Sequence, residues 1–71
     1  MKQTNTIGGR CYELFRDYYG STGVARDAEG WGRNTMSQWL HGVTPNGKVI
    51  ARAYELGLDV QYILTGTHKE D

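Results

Sequence analysis

Apolar residues recur every three or four positions in five stretches of the chain, with glycines and turn residues between them. That spacing predicts helices throughout. Ile7, Cys11, Leu14, Phe15 and Tyr18 make one face of a first helix from about Ile7 to Tyr18 or Tyr19, with Thr6 as its cap and Gly20 as its stop. Gly8 and Gly9 weaken its first turn, at about 1 kcal/mol each relative to Ala, so a start nearer Arg10 is also open. Ser21 or Thr22 caps a second helix over about 23–29, with Val24, Ala25 and Ala28 facing inward. The small Ala25 suits a close helix crossing. Gly30 and Gly32 flank Trp31 in a turn, where the indole can plug the gap between helices. A third helix runs from Arg33 or Asn34 to His41, closed by Gly42.

The loop 43–47 contains the single proline and an Asn-Gly turn signal. A fourth helix over about 48–56 carries the stripe Val49, Ile50, Ala53 and Leu56. Residues 60–64, Val-Gln-Tyr-Ile-Leu, would suit a strand in isolation. Asp59 as a cap before them and Gly66 after them favour a short fifth helix over about 59–64, with Leu58, Val60, Ile63 and Leu64 pointing inward. Residues 1–6 read as an arm and 67–71 as a tail or the start of a linker, which leaves 7–66 as one domain. The fold class is therefore all-α, a compact five-helix bundle.

The third helix has two unlike sides. Met36, Trp39 and Leu40 form its apolar stripe, while Arg33, Asn34, Ser37, Gln38 and His41 lie opposite, with no acid among them. Arg can fork onto guanine, and Asn or Gln can pair two-for-two with adenine, so this polar side has the chemistry of a major-groove reader. An ordinary amphipathic helix with a solvated face has the same pattern.

Composition narrows the alternatives. At 71 residues the chain is one domain, and a domain of this size buries only about 60% of its unfolded surface. The lone Cys11 fits a reducing compartment, no apolar run approaches the ~20 residues of a membrane span, and no secretory leader is recognisable at the start. A soluble cytoplasmic protein is expected. The net charge is zero, but unevenly spread: residues 1–52 hold seven Lys and Arg against four Asp and Glu, and residues 53–71 hold one Lys against four acids. A basic front suits contact with phosphate, and the low total predicts weak binding by a monomer.

Enzyme chemistry finds no support. One cysteine and two histidines, His41 and His68, stand far apart, which predicts no metal centre. Cys11 reads as a packing residue. Gly8-Gly9 lacks the strand before and the Gly-Lys-Ser/Thr after that a phosphate loop needs. The acids read as scattered over exposed helix faces. No cofactor, small-molecule substrate or membrane partner is expected.

Several phrases together resemble the N-terminal DNA-binding domain of lambda-type phage immunity repressors. They are Val24-Ala25 and Ala28, Gly30-Trp31-Gly32, Asn34-Thr35-Met36-Ser37-Gln38-Trp39, and above all Gly57-Leu58-Asp59-Val60-Gln61-Tyr62-Ile63-Leu64-Thr65-Gly66. The resemblance spans about residues 7–66. Ala25 to Met36 is one position longer than the family's spacing, which puts an extra residue in the turn 29–32. The resemblance implies a lambda-repressor-like helix-turn-helix, sequence-specific binding of a double-stranded DNA operator, and transcriptional repression in a bacterial host cell. It also implies a two-fold homodimer on half-sites roughly 34 Å apart. That dimer would form through helix 5 or through a further domain, since in many relatives a linker and an oligomerising domain follow the Leu-Thr-Gly phrase.

On this reading Arg33, Asn34, Ser37 and Gln38 contact bases, with Arg33 also placed to hold a phosphate. Thr22, Arg26, Thr35, Asn46 and Lys48 contact phosphates; for Thr35 a helix-start hydroxyl, and for Asn46 and Lys48 a turn residue and a solvated lysine, stand equally open. Ala25, Trp31, Met36 and Trp39 anchor the core. His41 is a partner for its helix's C-terminal charge. Tyr18, Tyr19, Tyr54 and Tyr62 divide between the core and a dimer patch near helices 4 and 5. The competing reading is a small helical protein-interaction module, antirepressor- or antitoxin-like.

Overall fold

The computed structural model describes residues 6–67. Most of the expected arm and tail, 1–5 and 68–71, lies outside them. Five helices and no strand occur among the described residues: α1 Ile7–Tyr19, α2 Thr22–Glu29, α3 Thr35–Leu40, α4 Gly47–Glu55 and α5 Val60–Thr65.

Side-chain caps set most of the boundaries. Thr6 Oγ1 accepts from Gly9 N at 2.9 Å, Ser21 Oγ from Val24 N at 3.2 Å, Asn46 Oδ1 from Val49 N at 3.1 Å and Asp59 Oδ1 from Tyr62 N at 3.0 Å. Each satisfies an amide that the first helical turn leaves open. With Ser21 and Asn46 as caps, α2 and α4 each begin one residue earlier than the apolar stripes suggest, and with Asp59 as a cap α5 begins at Val60.

α1 packs against α2, α3 and α5, with smaller contacts between α2 and α3 and between α4 and α5. The core is Cys11, Phe15, Ala25, Met36, Trp39, Val49, Ala53 and Ile63. Gly8 and Gly9 belong to α1 and are buried, so the helix does not wait for Arg10. A Cβ on Gly8 would stand 2.4 Å from the carbonyl oxygens of both Trp39 and Val43. The glycine that weakens the helix is what lets α1 press against the end of α3.

Several inward assignments are corrected. Val24 is 51% exposed, Tyr18 50% and Leu64 46%, and Ala28 is also exposed. α2 and α5 are covered on one narrow side only. Of the α2 stripe only Ala25 is buried, where α2 meets the bundle.

Candidate nucleic-acid interface

α2 ends on Gly30, whose φ of 73° lets the chain reverse; the Gly30 amide and the Trp31 amide at 3.0 Å both donate to Arg26 O. This hands Trp31 directly to the core. Its ring meets Phe15 and Trp39 edge-to-face, each at 4.9 Å between centroids. Such pairs add about 0.5–1.5 kcal/mol each beyond burial. Trp31 thus fills the space beside the turn, and α3 is held from behind by Met36 and Trp39, which are 4% and 3% exposed.

α3 is shorter than its sequence pattern. Thr35 N bonds to Gly32 O at 3.2 Å, which winds Arg33 and Asn34 into a turn, and Asn34 caps α3 without a side-chain hydrogen bond. At the other end Gly42 N donates to Trp39 O and Val43 N to Gln38 O, so His41 becomes the C-cap. Arg33 and Asn34 therefore precede the helix, while Ser37 and Gln38 stand on it. All four are exposed.

Two clefts border α3. One, of about 130 Å³, is lined by Thr22 and Arg26 of α2, Tyr12 of α1, and Met36, Ser37 and Leu40. The other, of about 410 Å³, is lined by Thr35, Trp31, Asn46, Lys48, Val49, Arg52 and Glu29. The expected phosphate contacts thus gather in two groups, Thr22 with Arg26 and Thr35 with Asn46 and Lys48. Asn46 also caps α4 with its side-chain oxygen, so its side-chain nitrogen is the polar atom the cap leaves open.

The charges sort themselves around this surface. Arg10 Nε donates to Ile63 O at 3.0 Å, Arg16 pairs with Asp17 at 3.2 Å, and Arg52 pairs with Glu29 at 2.9 Å and Glu55 at 3.2 Å. Arg26, Arg33 and Lys48 form no ion pair among the described residues. Among the described residues, the cations of the basic front with neither an ion pair nor a long-range hydrogen bond are those on α3's approach and in the two clefts.

Glu29 departs from the expected scatter of exposed acids. Its side chain is 7% exposed; both oxygens accept from Arg52 Nε, at 2.9 and 3.0 Å, and Oε2 also takes the Tyr19 hydroxyl. That bond to the carboxylate, with burial, holds the Tyr19 phenol above its ordinary pKa, and the hydrogen bonds to Glu29 and Glu55 raise that of Arg52 further. A second such bond, Tyr62 Oη to Glu13 Oε1 at 2.8 Å, raises Tyr62 likewise. Both tyrosines are thereby tied into the fold, whereas Tyr54 is 76% exposed. No periodicity in the sequence marks the Tyr19–Glu29–Arg52 cluster, since its members come from three different helices.

Among the described residues no group of His, Cys, Asp and Glu could hold a metal ion, and no helix is long and apolar enough to cross a membrane. No protein-family model, no curated protein and no solved structure matches the chain.

Proposed function

We propose that this protein binds double-stranded DNA sequence-specifically and acts as a transcriptional repressor of the lambda type, with α2, the turn and α3 as its helix-turn-helix. The observation that carries the reading is the coincidence of chemistry and charge around α3. Arg33, Asn34, Ser37 and Gln38 are exposed together, and the unpaired cations Arg26 and Lys48 line the two clefts beside them. α3 lies in the major groove with Gln38 and Asn34 on base edges and Ser37 and Arg33 beside them. Thr22 and Arg26 on one side, and Thr35, Asn46 and Lys48 on the other, hold the backbone and set the register. With three unpaired cations on this surface one domain binds weakly, so a two-fold dimer on a palindromic operator supplies the working affinity. Cytoplasm is the compartment this function requires.

Selection of bound duplexes from random DNA tests the proposal. The expected result is a short consensus, palindromic if the dimer forms, with affinity falling steeply as salt rises. A pool with no enriched sequence, and binding that ignores salt, would leave the protein-interaction module as the better reading.

A further inference from the structure

We propose that Glu29 is a positioning residue for the α4 side of this surface, a role that rests on the duplex-binding reading above. Among the helices α4 approaches α5 most closely, yet Asn46 and Lys48 at its start have to sit at a set distance from α3. Two connections hold it there. Val49 and Ala53 reach the core, and Arg52, one turn beyond Lys48, reaches the Glu29 carboxylate. Glu29 is the last residue of α2, immediately before the turn that leads to α3. Its carboxylate also accepts the Tyr19 hydroxyl of α1. One nearly buried carboxylate thus joins α1, the entry to the turn, and the helix that carries Lys48. Charge-assisted bonds of this kind are directional as well as strong, so they fix a separation and not merely an association.

The cluster also keeps Arg52 out of the phosphate-binding set. Although Arg52 lines the same cleft as Lys48, its Nε is held by Glu29 and its Nη1 by Glu55. Lys48 is the cleft's cation without an ion pair among the described residues, and Glu29 sets where it stands.

The test is a double-mutant cycle on the intact chain, with Glu29→Gln and Lys48→Ala, read as affinity for a selected duplex across a salt series. In the parent background Lys48→Ala is expected to weaken binding and to reduce the logarithmic salt slope by about one. Glu29→Gln alone is expected to weaken binding on the order of tenfold, and Lys48→Ala added to it to cost no more than about twofold, because coupled sites do not add. The same factor for Lys48→Ala in both backgrounds overturns the proposal. So does a rise in affinity for all sequences with Glu29→Gln, which would mean that the carboxylate only restrains Arg52. Should Glu29→Gln fail to fold, Tyr19→Phe, which leaves the Arg52 contact, is expected to show the same non-additivity in smaller size. Amide chemical shifts supply an arm without DNA: those of Asn46, Gly47 and Lys48 are expected to move in the free Glu29→Gln protein, and unmoved shifts overturn the proposal. A parent chain that binds no duplex removes the functional reading; a parent that binds, with an additive cycle, removes the positioning role alone.

Discussion

Replacing Gly8 by Ala separates what helix propensity predicts from what the packing of this bundle dictates. Gly8 lies in the first turn of α1, and propensity alone promises a gain of up to about 1 kcal/mol for Ala. In place, however, the new Cβ would stand 2.4 Å from Trp39 O, 2.4 Å from Val43 O and 3.0 Å from Trp39 Cα. All three are backbone atoms, so no side chain can swing aside. The loss must be taken by α1 moving off the end of α3. Overpacking of a buried site costs about 1–3 kcal/mol, and two backbone contacts this short put Gly8 at the upper end. Less the propensity gain, the net loss is about 2 kcal/mol, or roughly 8–16 °C in Tm at the 4–8 °C per kcal/mol of a domain this size. Gly23 in α2 is the matched control. Its φ is not positive, and the nearest atom to an added Cβ is Arg26 Nη2 at 4.0 Å, so Gly23→Ala should gain about 0.4–1 kcal/mol. Thermal melts followed by circular dichroism decide the matter. A Gly8→Ala protein that melts at or above the parent temperature would show that α1 and α3 do not meet through that glycine.

Three further outcomes are expected. Trp39→Ala should cost about 3–5 kcal/mol, because the indole is 3% exposed and packed edge-on to Trp31 and at a tilt to Phe15; since a core of this size rarely supplies more than that, the variant should lose its cooperative melt, and a Tm within a degree or two of the parent would remove Trp39 from the core. Gln38→Ala should alter the selected base preference while leaving the salt slope unchanged, an identical consensus counting against a base contact. Burial pushes the Cys11 thiol from 9.0 up to about 12, so the folded state holds a proton that the unfolded chain releases. That contribution is complete below pH 9 and is lost as pH rises toward 12, with Tyr19 and Tyr62, also raised, adding to the loss above 10. Urea melts across pH 7–11 should show the midpoint falling from about pH 9, and a flat profile would contradict a buried thiol.

Local chemistry accounts for most of what could be read before any coordinates. Thr6, Ser21 and Asp59 are short polar residues whose side chains reach an amide three positions on, and Gly20, Gly30 and Gly66 adopt positive φ, so both kinds of boundary follow from neighbours in the chain. The core members Phe15, Ala25, Met36, Trp39, Ala53 and Ile63 follow from a period of three to four. Where an apolar face is only partly covered, periodicity overreaches: Val24 and Leu64 satisfy the pattern and still meet solvent, because a short helix touches its neighbours along a narrower strip than it displays. α3 falls short of its pattern at both ends for a related reason. Turn hydrogen bonds from Thr35 to Gly32 and from Val43 to Gln38 compete with helical ones and shorten it.

The order of residues along the chain carries the inventory: five amphipathic segments, their stops, and an acid-free polar side on the third. These depend on residues within four positions of each other, so they need no contact with a distant segment of the chain. Folding settles which polar groups remain available, for the most part through contacts between helices. Arg10, Arg16, Arg26, Arg33, Lys48 and Arg52 are alike as cations in the sequence, but contacts between helices engage Arg10 at Ile63 and Arg52 at Glu29, and a local pair engages Arg16, leaving Arg26, Arg33 and Lys48 around α3. Glu29 becomes a nearly buried bridge for the same reason. Its partners lie 10 and 23 residues away, and only packing brings polar groups so far apart in the chain into contact.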